Sequence, residues 1–342
     1  MSLMSKRKEG HIEAVLSGEA NARDVSAGFD RVRFEHCALP ELDLNEIDLS
    51  TRFLGKPLCL PFLISSMTGG HAHAATINAV LAEAAETLGI ALGVGSQRVA
   101  LSGGGLEGTD RSLRRFAPNV PLFGNMGAAQ LREFGTDAMR RAVDMIDADA
   151  LIIHLNPLQE ALQARGDTRW SGLLAQLEAL CATLPVPVIV KEVGFGISVP
   201  VARRLTDCGV AAIDVAGAGG TSWSAVEGRM ASDPAQAALA EIYRDWGIPT
   251  ATALRDIHEA MPQLPLIGSG GVRHGLDAAK AIRLGATLVG QAGPLLRAAI
   301  AGLEPLMAHF ALLEQGLRLA CFATGSPDLA ALRRVRLLEH HS

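Results

Sequence analysis

Residues 150–160 read ALIIHLNPLQE, an apolar run that ends in His154, Asn156, Gln159 and Glu160. A strand that only filled a core would stop at a turn residue. This one brings four hydrogen-bonding or charged groups to one place. An exposed glutamate needs no partner, but beside a diphosphate Glu160 is a natural Mg²⁺ ligand, because Mg²⁺ takes one or two carboxylates together with phosphate oxygens. His154 titrates in the range of acid–base chemistry. Gln159 is no acid near neutrality, yet its amide can orient or relay a proton. These two are the candidate catalytic residues.

A second unusual position is Lys191 in VPVIVKEVG, residues 186–194. A lysine inside so apolar a run is costly unless it is paired with an anion or reaches an open mouth. It suits a Schiff base with a carbonyl substrate, or a place beside an anionic cofactor. The bland alternative is a lysine that snorkels to solvent. SSMTGG, residues 65–70, offers hydroxyls at Ser66 and Thr68 and two glycines for close backbone approach. Asn125, in GNMG, carries a carboxamide that both donates and accepts, as the edge of a flat heterocycle requires. GAGGT (217–221) and GSGGVRHG (268–275) are glycine-rich and each precede helical sequence. Backbone N–H groups and helix N-termini there suit an anion, with Arg273 adding a charge-assisted contact. Ordinary tight turns are the alternative. Taken together, the set suits a flavin mononucleotide whose phosphate reaches the late loops. Ser96, Gln97 and Arg98 close another apolar run. Arg7 and Lys8 lie in a basic head, KRK, which is either a solvated face or an arm that folds over an anionic substrate.

These groups need elements to hold them. Eight apolar runs carry them: 60–70, 90–98, 120–127, 150–157, 186–194, 211–220, 264–271 and 286–293. Amphipathic helical stretches lie between most of them, among them 74–88, 137–146, 170–184, 199–208 and 276–284. Continuous apolar strands that alternate with helices make a parallel sheet covered by helices. Eight such units predict an α/β fold, a (β/α)8 TIM barrel, in preference to an open doubly wound sheet. Residues 1–56 are then an N-terminal extension with the basic arm, and 57–342 the barrel with a C-terminal helical tail from about Leu295. In this fold the C-terminal strand ends share the face that holds the active site. GGGLEG (103–108) matches a dinucleotide fingerprint. It lies in a loop, however, and no acidic residue ends the next strand to complete a ribose site.

The chain has 342 residues and a net charge of −5, which argues against a nucleic-acid surface. No apolar run has membrane-spanning length, and the charged N-terminus is not a signal peptide. Cys37, Cys59, Cys181, Cys208 and Cys321 show no metal or disulfide spacing; their apolar contexts predict buried reduced thiols in a cytoplasmic protein.

RKEGH, SSMTGG, GVGSQR, GNMG, HLNPLQE, VKEVGFGIS, GAGGTSW and GSGGVRHG, in this order along nearly the whole chain, resemble the FMN-dependent type 2 isopentenyl diphosphate isomerases, FMN-binding (β/α)8 barrels. The resemblance implies a 1,3 proton shift that converts isopentenyl diphosphate to dimethylallyl diphosphate, with reduced FMN, Mg²⁺ and NADPH as reductant. On this reading the flavin N5 region protonates the terminal alkene carbon and a proton leaves from C2. It implies substrate contacts from Arg7, Lys8, Ser96, Gln97, Arg98, His154, Asn156 and Gln159, and a metal contact from Glu160. FMN would be held by Ser66, Met67, Thr68, Ser96, Asn125 and Lys191, and by Thr221, Gly271, Val272, Arg273, Ala292 and Gly293. His154 is favoured as a diphosphate donor. A homo-oligomer, tetramer or octamer, is implied. One departure is Ala216-Gly217 where the family usually has Ser-Gly, which removes a hydroxyl contact and predicts a small loss in FMN affinity. The rival is another FMN barrel oxidoreductase such as a 2-hydroxy-acid oxidase, with His274 and Arg273 as base and carboxylate partner.

Overall fold

The computed structural model describes residues 10–11, 13–67, 74–103 and 108–338. Its centre is a closed barrel of eight parallel strands: β1 (Phe62–Ile64), β2 (Ala91–Gly93), β3 (Leu122–Gly127), β4 (Ala150–Leu155), β5 (Val188–Glu192), β6 (Ala212–Asp214), β7 (Leu266–Gly268) and β8 (Ala286–Gln291). Each pairs with its sequence neighbour, and β8 closes on β1. The predicted barrel is therefore the observed one. The strands are shorter than the apolar runs, because each run also contained the loop that leaves the strand.

Side chains alternate across a strand, so every second residue faces the barrel axis. Leu63, Ala91, Phe123, Ile152, Ile189, Ala212, Ile267 and Leu288 form this interior, all buried. Two residues further along, the same inward positions become polar: Ser65, Asn125, His154, Lys191, Asp214 and Ser269. Glycine stands at the two remaining places. A Cβ on Gly290 would lie 2.5 Å from Ser65 Oγ, and one on Gly93 would lie 2.9 Å from Ser66 Oγ. The barrel is thus filled by apolar layers and topped by a polar one.

The other end is plugged. An antiparallel hairpin, Thr51–Phe53 with Lys56–Leu58, sends Phe53 and Leu58 into the interior cluster. The Phe53 ring sits 6.0 Å from that of Phe123. Lys56 pairs with Asp149 at 2.9 Å and Arg114 with the same carboxylate at 2.6 Å. A boundary drawn at residue 56 runs through this hairpin.

Outside the strands, the larger hydrophobic cluster joins them to the helices. Ala74–Leu88 matches its expected span, and Val199–Asp207 and Gly275–Arg283 fall within a residue of theirs. Ala128–Ile146 begins nine residues before the expected start at 137, and Gly135 (φ 72°) interrupts it. The interruption hid the first half from a periodicity argument. The closing segment is two helices, Gly293–Ala301 and Leu303–Ala323, separated at Gly302 and followed by a short third, Leu329–Leu332. Among the described residues no helix is long and apolar enough to cross a membrane.

The five cysteines are free thiols, but the expectation that all are buried fails: Cys59 is exposed and Cys37 and Cys181 are half-buried. Cys59 lies in LCLPFL, which reads as core. The strand starts only at Phe62, so Cys59 belongs to the connection outside it. Burial pushes the Cys321 thiol up to about 12, where it is inert.

Candidate functional site

A cavity of about 840 Å³ opens over the C-terminal ends of β1 and β5–β8. Its cover is the N-terminal segment, through His11, Val15 and Asn21. That segment is clamped from behind. Arg244 donates to the carbonyls of Glu19 and Asn21, both at 3.0 Å, and Asp245 Oδ1 accepts from the amides of Arg23 and Asp24 at 2.7 and 3.1 Å.

The two glycine-rich loops form one wall, and their glycines do a different job from the one expected. Gly219 (φ 109°) lies so close to the Ser26–Ala27 backbone that no Cβ fits. A Cβ on Gly270 (φ 100°) would enter the Gly217 backbone, and one on Gly220 would lie 2.7 Å from the Gly271 nitrogen. Glycine is needed there so that the loops interlock. Thr250 Oγ1 fixes the second loop by donating to the Gly270 carbonyl at 2.6 Å.

Two of the three nearby helix N-termini are already capped. Ser222 Oγ accepts from the Ala225 amide, and His274 Nδ1 from the Asp277 amide. Arg273 lines the cavity, yet its Nε pairs with Asp277 at 2.8 Å. The helix Gly293–Ala301 has no side-chain cap, and Ala292 and Gly293 line the cavity. Its orphan N–H groups and positive dipole end are free for an anion. The hydroxyls of Ser65 and Ser66 also line the cavity, buried and without a partner among the described residues. An uncapped helix start for a phosphate and unpaired hydroxyls for a ring edge fit FMN in charge and in chemistry. Met67, Thr221, Val272 and Ser96 line the same cavity. Ala216 also lines it, with φ 36°, and presents a methyl where the resemblance implies a hydroxyl. Thr68, Arg7 and Lys8 lie outside the described residues.

The polar top layer is a network. Lys191 Nζ lies 3.1 Å from Asp214 Oδ2, and Ser269 Oγ donates to Asp214 Oδ1 at 2.6 Å. Lys191 is thus both paired with an anion and at the mouth. His154 Nδ1 and Asn125 Oδ1 are 2.9 Å apart. Burial, aided by the Lys191 charge, depresses the His154 pKa from 6.5 to about 4, so the ring is neutral at neutral pH. Behind the layer, one Glu192 oxygen accepts from the amides of Val193, Gly194 and Phe195 at 2.6, 2.7 and 2.5 Å. Burial nevertheless pushes this carboxyl up to about 7.

The HLNPLQE side chains interlock within one turn. Asn156 Nδ2 donates to Gln159 Oε1 at 3.2 Å and to Glu160 Oε1 at 3.0 Å. Glu160 Oε2 accepts from the Asp167 amide at 2.8 Å. Gln159 Nε2 donates to Glu227 Oε1 at 2.9 Å, both residues being buried. His11 Nε2 approaches the same oxygen at 3.4 Å, with its ring edge-on to Trp223. Gln97 turns away from this group. Its amide donates to the Ala142 carbonyl and accepts from the Asn125 amide, so it props β3 and is not aimed at a ligand. Arg98 is half-exposed, 3.6 Å from Glu133.

Sequence reasoning missed Asp214, Ser269 and Glu227. The signal for the first two is the alternation itself, two residues beyond an inward apolar residue. Glu227 follows Trp223 by four residues on the helix Trp223–Met230 and shares its face.

The profile described as FMN-dependent dehydrogenase matches residues 2–102 and 130–339. The chain belongs to the FMN-dependent dehydrogenase family. Within this family it is 62% identical to an isopentenyl-diphosphate delta-isomerase of Xanthobacter autotrophicus over 97% of both chains. It is 59% identical to one of Stutzerimonas stutzeri (99% and 98% covered) and 50% identical to one of Synechocystis sp. (98% and 96% covered). Among solved structures, a flavocytochrome b2 variant with pyruvate bound superposes with a TM-score of 0.71 at 17% identity, covering 96% of this chain and 82% of that one. A putative lactate oxidase of Pediococcus acidilactici gives 0.67 at 18% identity, covering 99% and 94%. At such identity these two show the fold of FMN-dependent dehydrogenases alone.

Proposed function

We propose that this protein is an isopentenyl-diphosphate delta-isomerase, which converts isopentenyl diphosphate to dimethylallyl diphosphate with FMN held over β1 and β5–β8. The observation that carries the reading is the Gln159–Glu227 hydrogen bond, a buried carboxylate tied to the HLNPLQE motif beside the cofactor-sized cavity. The pair suits an isomerase, because its whole reaction is one proton added at the terminal alkene carbon and one removed from C2, with no net electrons.

When bound and reduced, FMN supplies an electron-rich ring and an exchangeable proton. The chain supplies the rest. The Gln159 amide is oriented by Asn156 and donates to Glu227, so it positions that carboxylate and is not itself the acid. Glu227 Oε1 is the buried oxygen at which a proton is held or released. His154 is neutral and presents hydrogen-bonding capacity without a fixed charge. It assists Ser96, Arg98 and Asn156 on the diphosphate, with Arg7 and Lys8 of the basic arm. Among the described residues no group of three or more His, Cys, Asp or Glu side chains is disposed to hold a metal. Mg²⁺ at Glu160 therefore takes its remaining ligands from diphosphate and water. The N-terminal segment keeps water from the reacting carbons.

NADPH is the proposed reductant and the cytoplasm the proposed compartment, which suits five free thiols. A homo-oligomer, tetramer or octamer, suits the exposure of Ile242, Trp246 and Leu312. The hydroxy-acid oxidase alternative loses its residues: Arg273 is held by Asp277, and His274 caps a helix.

The test is proton NMR in deuterated buffer with FMN, Mg²⁺ and isopentenyl diphosphate, with and without dithionite. Dimethylallyl diphosphate that carries solvent deuterium only after reduction is the expected result. Oxygen consumption on a 2-hydroxy acid in its place would establish the rival. Turnover unchanged in both Gln159→Asn and His154→Gln would overturn the site.

A further inference from the structure

Asp214 is completely buried, and it stands behind the cavity wall while Lys191 and Ser269 stand on it. Its side chain carries the only negative charge among the described residues of the inward polar layer; Lys191 carries the positive one, and Ser65, Asn125, His154 and Ser269 are neutral. The pair is held from three adjacent strands. Lys191 (β5) sits 3.1 Å from Oδ2, Ser269 after β7 donates to Oδ1 at 2.6 Å, and the Ala216 amide donates to Oδ1 at 3.3 Å.

Stability is a poor reason for such a pair. Withdrawing two charges from water costs several kcal/mol each, and an apolar pair of similar volume is often as stable. The apolar solution is in fact used two residues back along β5 and β6, where Ile189 is paired with Ala212 and both are buried. A lysine alone would give the wall an unmatched cation. A lysine with a buried carboxylate behind it keeps its hydrogen-bond donors but offers a charge that is largely offset.

We propose that Asp214 is a positioning residue that acts through Lys191: it fixes the ammonium on the cavity wall and restrains how strongly the site favours the reduced form of the flavin over the oxidised form. This rests on the FMN reading above. Reduction places extra electron density on the ring. A cation already matched by Asp214 stabilises that density less than an unmatched one does. The arrangement keeps the reduced cofactor from being held by charge alone, which suits a reaction in which the ring must exchange a proton and finish unchanged.

The experiment measures the midpoint potential of bound FMN by dye-coupled reduction in wild type, Asp214→Asn, Lys191→Met and the double variant. FMN uptake is followed first by quenching of its fluorescence. If wild type takes up no FMN, the cofactor reading fails, and this proposal with it, before any potential is measured. If it does, Asp214→Asn is expected to favour reduced over oxidised FMN about tenfold more than wild type, a positive shift of about 30 mV for a two-electron couple. The same substitution in the Lys191→Met background is expected to shift nothing. An unchanged or lower potential in Asp214→Asn overturns the proposal. So does an equal shift in both backgrounds, because Asp214 would then act without Lys191. Should Asp214→Asn not fold, Ser269→Ala keeps both charges and removes the hydroxyl that offsets the carboxylate. Its potential is expected to fall, and no change or a rise overturns the proposal.

Discussion

The two halves of the barrel mouth are built differently. Over β5–β8 the polar groups are satisfied by partners far away in the chain: Asp214 with Ser269, Thr250 with Gly270, Arg244 with Glu19 and Asn21. Backbone does much of the work, and interlocked glycine loops leave little room to adjust. Over β2–β4 the satisfaction is made mainly by side chains, some across the chain, as Asn125 with His154 and Gln159 with Glu227, and some close by. Asn156 binds Gln159 and Glu160 within one turn, and Arg98 stays half-exposed with a distant partner. The late half is set before a ligand arrives. The early half holds groups that can exchange a neighbour for a ligand. That division suits a resident cofactor on one side and a substrate that comes and goes on the other.

The most damaging test of this contrast is Gly219→Ala. The new Cβ meets the Ala27 backbone, and the residue sits at φ 109°. Strain and overpacking together are expected to cost about 3 kcal/mol, and FMN retention is lost. Denaturant unfolding and the flavin absorbance of the purified protein read both. Retained FMN at wild-type stability would mean that the late wall is not prefolded. Next in size is Glu160→Gln in the early half. It is expected to cut turnover by roughly 10²–10³, the scale of losing a transition-state contact, with FMN content unchanged. Stability should fall by only about 1 kcal/mol, because the carboxamide oxygen can still accept from Asp167 while the bond from Asn156 is lost. Arg98→Ala is smaller still. It is expected to raise KM about tenfold, with kcat nearly constant and the unfolding midpoint unmoved, since its exposed 3.6 Å contact with Glu133 contributes little. A drop in kcat with KM unchanged would place Arg98 at the chemistry instead.

The barrel was legible because its strands are continuous apolar runs, and that pattern has few other meanings. The HLNPLQE cluster of the candidate site was legible too, since its side chains lie within seven residues of chain and meet one another. What stayed hidden depends on register or on separation in the chain. Asp214 looks like a strand terminator until β6 is paired with β5, which sets it opposite Lys191. Glu227 lies 68 residues from Gln159 and sits in a helix whose sequence is otherwise ordinary. Gln97 misled for the converse reason. It follows Ser96 in a motif that faces the mouth, yet the next side chain along points back into the protein. Gly217, Gly219 and Gly220 were read as an anion cradle because glycine suits one; that two loops share the same space is a tertiary fact with no local signature.

The remaining test bears on the early half alone, through His154, and leaves the protein folded near neutral pH. Its pKa is near 4 in the folded protein against 6.5 as the ordinary value. Between these values the unfolded chain binds a proton that the folded chain does not. Stability from this group is therefore complete above about pH 6.5, falls as the pH drops, and is exhausted below about pH 4. Glu192 runs the other way: raised to about 7 by burial, it stabilises at low pH and loses that contribution as the pH rises through 7. The wild-type curve mixes the two, whereas the difference between wild type and His154→Gln isolates the histidine. That difference is expected to shrink by up to about 3 kcal/mol from pH 7 to pH 4, measured by denaturant unfolding of the FMN-loaded protein. Inorganic diphosphate then sharpens the test. If the anion sits beside His154, it favours the imidazolium and lifts the pKa toward its ordinary value, so the pH dependence of the difference flattens. If diphosphate leaves the difference unchanged, the anion does not reach β4, and the early half must hold its substrate without His154.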